Sequence, residues 1–107
     1  MGLFEVSVRL ANPAQPDRVR DVSLLVDTGA TLSWIQRDIL QNLGVRPTDR
    51  LEFQLADGRV LQREVGAALF TIDGRTLAIP VAFGESGEES VLGATALEAL
   101  GFAVDPV

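Results

Sequence analysis

The stretch "LLVDTGAT", residues 24 to 31, runs three aliphatic side chains straight into Asp27, then into a hydroxyl, a glycine and small residues. A carboxylate is among the groups most costly to bury. Either the strand stops at Val26 and Asp27 opens a solvated turn, or the acid is held in a dry place for its chemistry. The residues around it decide which.

Composition removes most competing chemistries. At 107 residues the chain has the size of a single domain, here 1-107, and 47% hydrophobic content with 6% aromatics describes an aliphatic-packed globule rather than a disordered chain. No apolar run approaches the roughly 20 residues of a membrane span, and "MGLFEVSVRL" lacks the features of a secretory leader, so a soluble cytoplasmic protein without membrane partners is expected. Fifteen acids stand against nine arginines and no lysine, a net charge of -6 that repels phosphate backbones and argues against nucleic acid as a partner. The chain has no Cys, His or Tyr, which excludes thiol nucleophiles, Ser-His triads, disulfides and metal sites built on the usual zinc ligands. Neither a metal nor any other cofactor is expected. Acid-base chemistry near neutral pH would fall to carboxylates, and one of them would need a raised pKa to act as an acid.

The remaining pattern is mostly short strands. "LFEVSVRL" (3 to 10) alternates Phe4, Val6, Val8 and Leu10 on one face, "ANPAQPD" reads as a proline-blocked loop, and "RVRDVSLLVD" as a second strand. In "TLSWIQRDILQNLGV", Ser33 and Gln36 have capping-box spacing and Ile35, Ile39, Leu40 and Leu43 recur at helical period, predicting a helix over about 34 to 43 that Gly44 ends. "LEFQLADGRVLQREV" reads as a hairpin turning tightly at Asp57-Gly58, with Leu51, Phe53 and Leu55 opposite Val60 and Gln62. A second hairpin turns at Asp73-Gly74, and the acidic "GESGEES" reads as a solvated loop whose Glu85, Glu88 and Glu89 carry no metal-site expectation. "VLGATALEALGF" closes the chain with an apolar pair, Gly93, a short helix stopped by Gly101, and a last strand "FAVDPV". It echoes the opening stretch, an apolar strand running into a small-residue loop and then a helix.

The pairing of "LLVDTGAT" with the later "VLGATALEALGF" resembles the retropepsin-like aspartic proteases, and the order of elements follows that family over nearly the whole chain. The resemblance implies an all-β, small closed barrel with a flap hairpin and one or two short helices, acting as a symmetric homodimer on peptide or protein substrates. It makes Asp27 the catalytic aspartate, with Thr28 and Gly29 completing the loop. "LADGRV" would lie near the flap tip, so Leu55, Ala56, Asp57 and Gly58 become substrate-binding candidates beside Ala30, Val81 and Leu92. Pocket walls are expected from Leu25, Leu55, Val60, Ile79, Val81 and Leu92, and Trp34 is expected in the core. Where retroviral members often carry charged residues that link the two motifs, this chain has Thr31 and Ala94.

The chemistry can also be reached from below. Peptide hydrolysis by carboxylates needs one ionised group to take a proton from water and one protonated group to hydrogen-bond the scissile carbonyl; the handling of one proton by two close acids is the known solution in aspartic proteases. This chain carries a single Asp-Thr-Gly, so the second acid would come from another copy across a two-fold axis. The alternative is a non-catalytic dimerisation or peptide-binding module that keeps the fold.

Overall fold

Alternation along the first strand sets the inner wall: Val8 and Leu10 are fully buried, while Ser7 and Arg9 between and beside them face solvent. The computed structural model describes residues 4–55 and 57–102. Its elements are β1 (Glu5–Asn12), β2 (Gln15–Val26), β3 (Ser33–Gln36), α1 (Arg37–Asn42), β4 (Asp49–Gln54), β5 (Val60–Ile72), β6 (Arg75–Gly84), β7 (Val91–Leu92) and α2 (Ala94–Ala99). The strand order is β1-β2-β7-β3-β6-β5-β4, and β1 also pairs with β5 through Leu10 and Phe70. Six strands therefore close into a ring and β4 extends beyond it. Closure removes the sheet edges of those six strands. Leu10, Leu24, Ile35, Leu40, Phe70, Phe83, Leu92 and Leu100 fill the interior.

Two departures from the sequence reading concern prolines and caps. The loop expected over "ANPAQPD" shrinks to a two-residue link, because β2 already begins at Gln15 and contains Pro16. The register shifts there, from Ala11↔Val19 to Asn12↔Gln15, so Pro16 sits in a bulge where no ladder hydrogen bond is asked of it. The expected helix over 34 to 43 keeps its end but loses its beginning. Gly44 stands past the helix with φ +78°, yet Ser33–Gln36 is a strand, paired with β6 from Ser33↔Val81 to Gln36↔Gly84 and with β7 at Trp34↔Val91. Sheet pairing on both sides outweighs a local capping preference.

The two hairpins also divide. At Asp73-Gly74 both residues have positive φ, 51° and 78°, and Ile72 pairs directly with Arg75, the signature of a tight primed turn. At Asp57-Gly58 only Gly58 is left-handed, φ 89°, and the Leu55 N–H donates to the Arg59 carbonyl at 2.8 Å across a longer loop. The register slips by one residue from the expected one: Phe53 faces Leu61, Leu51 faces Arg63, and Val60 pairs with Gln54. A slip of one exchanges the two faces of a strand. Val60 is accordingly 56% exposed, outside the pocket it was expected to line.

The displaced helix cap has a different partner. Ser33 is buried, and its Oγ accepts the Gly93 N–H at 2.9 Å, a bond between residues 60 positions apart. Replacing Ser33 by Ala leaves that buried N–H without an acceptor, so S33A is expected to lower stability by about 1–3 kcal/mol in urea unfolding at unchanged m-value. A variant as stable as the parent contradicts the assigned bond.

Candidate active site

The Asp27 loop is supported from beneath by β7 and the start of α2. β2 and β7 run parallel, Leu25↔Val91 and Val26↔Leu92, and the ladder continues when the Asp27 N–H donates to the Leu92 carbonyl at 3.0 Å. Beyond it, the Ala94 N–H donates to the Ala30 carbonyl at 2.8 Å and the Thr95 N–H to the Thr31 carbonyl at 3.0 Å. Backbone bonds thus join the two motifs at Thr31 and Ala94, the positions that lack a charge pair. Gly93 is the point of closest approach. A Cβ there would lie 2.5 Å from the Leu32 carbonyl oxygen and 2.8 Å from that of Ala30, so only glycine lets the segments cross.

Within the loop the carboxylate is oriented locally. The Gly29 N–H donates to Asp27 Oδ1 at 3.0 Å, and the Ala30 N–H donates to the Asp27 carbonyl at 3.2 Å. A Cβ on Gly29 would stand 3.2 Å from Oδ1, crowding the carboxylate. Asp27, Thr28 and Gly29 are all exposed in the single chain. One chain alone leaves the carboxylate open to solvent.

Asp27 opens into a groove of about 1150 Å³. Asp27, Gly29 and Ala30 form its floor, with Leu51, Phe53, Leu55 and Leu61 of the β4–β5 hairpin opposite. Of the expected substrate-binding residues, the structure brings Ala30 and Leu55 to this groove. Asp57 and Gly58 lie at the hairpin tip outside its walls, and Ala56 falls outside the described residues. Val81 is corrected from groove wall to core: it is 0% exposed because β6 is the inner strand between β3 and β5. Ile79 is buried likewise. Leu92 is 0% exposed, packed beneath the loop, where it reaches a second recess rather than the groove. Leu25 lines neither of these.

The groove wall that the sequence reading missed is aromatic and cationic. Trp34, expected in the core, alternates outward from buried Ser33 and Ile35 and lines the groove, its ring centroid 5.0 Å from that of Phe53 at a 58° tilt. The Arg63 guanidinium lies over the same indole, 5.7 Å from its centroid, and donates to Glu88 at 3.0 Å. Glu88 also accepts the Glu85 N–H. Its desolvation opposes ionisation, but the Glu85 N–H and the Arg63 cation together hold its carboxyl below the ordinary glutamate value. Arg37 joins Glu64 at 2.7 Å to Glu85 at 3.4 Å. The "GESGEES" loop is therefore tied to β5 and the start of α1 by ion pairs rather than left as a free solvated turn. Strand alternation around Trp34 was the available signal, hidden by the helix-like spacing.

The second recess, about 610 Å³, lies on the other side of the Asp27 loop. Thr28 lines it with Phe4, Val6, Val26, Leu97 and Phe102, close to both ends of the described chain. Phe4 is 60% exposed there. Residues 103–107, where the last strand was expected, are outside the described residues.

A family model described as aspartyl protease matches residues 6–96. No curated protein matches the sequence. Among solved structures, the chain is similar to the EIAV protease complexed with the inhibitor HBY-793, with a TM-score of 0.68 at 16% identity over 97% of this chain and 93% of that one. It is also similar to the simian foamy virus (mac) protease in its solution structure, with a TM-score of 0.61 at 17% identity over 90% and 93%. At such identities the structural likeness establishes the fold, a retropepsin-like barrel. The family match over residues 6–96 takes in both crossing segments, the Asp27 loop and the Gly93 turn beneath it, and by that match the chain belongs to the aspartyl protease family.

Proposed function

We propose that the protein is an aspartic endopeptidase whose catalytic centre is completed by a second copy of the chain. The observation that carries this reading is the Asp27 loop: its backbone is locked by hydrogen bonds to residues 92–95, while its carboxylate stands exposed at the floor of a groove large enough for an extended peptide. Rigid backbone under a free reactive group is what catalysis by positioning asks for. Among the other groove carboxylates, Glu88 is already committed to Arg63.

In the homodimer, the two Asp27 carboxylates meet on the two-fold axis and share one proton, because like charges at hydrogen-bond distance resist double ionisation. The ionised one takes a proton from water as its oxygen attacks the scissile carbonyl carbon. The protonated one donates to the carbonyl oxygen. Collapse of the tetrahedral intermediate returns that proton and delivers the other to the leaving amine. Thr28 and the recess beside Phe4 and Phe102 support the pairing, since among the described residues they form a mostly apolar face beside the loop and apart from the groove. The β4–β5 hairpin takes the role of a flap, which would close Leu55 and the tip residues Asp57 and Gly58 over the substrate.

Asp27→Asn removes the acid-base pair without changing volume, so D27N is expected to lose about 10²–10⁴-fold in cleavage of a peptide library while sedimenting as the same dimer. Undiminished cleavage by D27N sinks the assignment, and a dimer that binds peptides without turnover in either form points to a binding module. Because the centre is shared, specific activity of the parent protein should fall on dilution in step with dimer dissociation, followed by light scattering; constant activity in a persistent monomer contradicts the shared centre. Ala30 carries no hydroxyl that could donate to the ionised pair. A30S adds such a donor, stabilises the charged form, and is expected to move the acid limb of the pH–rate profile to lower pH; an unmoved or alkaline-shifted limb excludes a donor role at position 30.

A further inference from the structure

Arg63 reaches several parts of the groove from one position on β5. Its side chain alternates with that of Leu61 onto the groove face of the hairpin, opposite Leu51 in the β4 ladder. The guanidinium lies 5.7 Å from the Trp34 ring centroid and donates to Glu88 Oε2 at 3.0 Å. Glu88 is held in turn, its carbonyl accepting the Gln36 side chain at 3.0 Å and its Oε1 accepting the Glu85 N–H. Shortly after it, Val91 pairs with Trp34 and opens β7, the strand that carries the acceptor of the Asp27 N–H. The hairpin, the aromatic wall and the acidic loop therefore meet at one side chain.

That side chain is only 15% exposed, and its Nε–H is buried with no acceptor among the described residues. An unpaired buried donor opposes folding, so its presence calls for an explanation in what the rest of the group does. The terminal nitrogens supply one. With one bond to Glu88 and another to the Gln62 carbonyl at 3.1 Å, they bring the guanidinium over the indole and leave Nε without a partner. We infer that Arg63 is a positioning residue of the groove: it holds the Trp34 indole and the Glu88 loop against the base of the hairpin, so that a peptide meets a wall already assembled. The inference rests on the groove being a peptide site and names the residue that prepares it. Preassembly lowers the entropy lost when a ligand orders the wall, an effect felt in affinity rather than in the bond-breaking step. The Asp27 loop is fastened separately, through its bonds to residues 92–95, so loosening the wall leaves the acid in place.

Trp34 is the only tryptophan, so its emission reports on the wall before any peptide is added. R63K keeps the cation but loses the flat group, and E88Q removes the charge to which Arg63 donates. Both ligand-free variants should show stronger quenching of indole emission by acrylamide than the parent protein. R9K makes the same exchange at an exposed pair with Asp21 on the first hairpin, outside the groove, and should leave quenching unchanged. In cleavage of the peptide library, R63K and E88Q should each raise KM by about two- to tenfold while kcat stays within about twofold of the parent. W34F should raise KM as well, and adding R63K to W34F should raise it less than R63K does alone, because Arg63 acts in part through the indole. A role in stability alone would lower the urea midpoint and leave both the quenching of the folded protein and KM where they are.

Unchanged quenching in R63K and E88Q, a fall in kcat at constant KM, or an equal effect of R63K with and without Trp34 overturns the inference. Should R63K fail to fold, E88Q carries the quenching and KM measurements. Turnover by the parent protein separates the two readings. Cleavage with the parent's KM in both variants removes this inference alone, whereas a parent that cleaves nothing removes the endopeptidase reading, and the quenching result then decides whether Arg63 holds the wall.

Discussion

The structure depends on a crossing of two backbone segments at Gly93. β2 and β7 lie parallel, so their ends arrive together, and the chain beyond each must pass the other within van der Waals distance. Four N–H groups at that crossing find acceptors on the opposite segment: Asp27 on Leu92, Ala94 on Ala30, Thr95 on Thr31, and Gly93 on the Ser33 hydroxyl. A loop normally tolerates variation because water satisfies its backbone. Here protein groups do so, which fixes the loop as firmly as a strand while leaving the Asp27 side chain outside.

This arrangement separates positioning from desolvation. One chain delivers the carboxylate in a set orientation, with the Gly29 N–H on Oδ1, but leaves it in contact with water. In the proposed dimer, the recess beside Thr28 offers a face through which a second chain would exclude that water. Each chain of that proposed dimer builds half of the site, and chemistry becomes conditional on assembly.

Much of this was legible in the sequence where local and long-range preferences agree. Val8 and Leu10 alternate inward as their period requires, Asp73-Gly74 turns as its positive φ values demand, and Gly44 and Gly101 end their helices with φ of 78° and 82°. The resemblance of "LLVDTGAT" and "VLGATALEALGF" located the loop and its support. What remained hidden lies where a distant partner overrides a local pattern. Ser33 looked like a helix cap because its hydroxyl is a good acceptor, and it is one, for an N–H 60 residues away. The acidic loop looked solvated because its arginine partners, Arg37 and Arg63, come from elsewhere in the chain.

The walls of the groove follow from the same lesson. A two-residue turn at Asp57-Gly58 would have set Phe53 against Gln62; the longer loop, with Gly58 left-handed and Asp57 not, sets it against Leu61 and turns Arg63 toward the groove beside Leu51. Trp34 becomes a wall residue only because Ser33–Gln36 is extended, which points Ser33 and Ile35 inward and the indole out. These two backbone choices, each a matter of one residue's conformation or one strand's extent, bring Trp34, Phe53 and Arg63 together at 5.0 and 5.7 Å. Had either gone the other way, the groove above Asp27 would be lined by different side chains on an unchanged barrel. The Gly93 crossing fixes where the acid stands, and the hairpin register and the extent of β3 fix what it is offered.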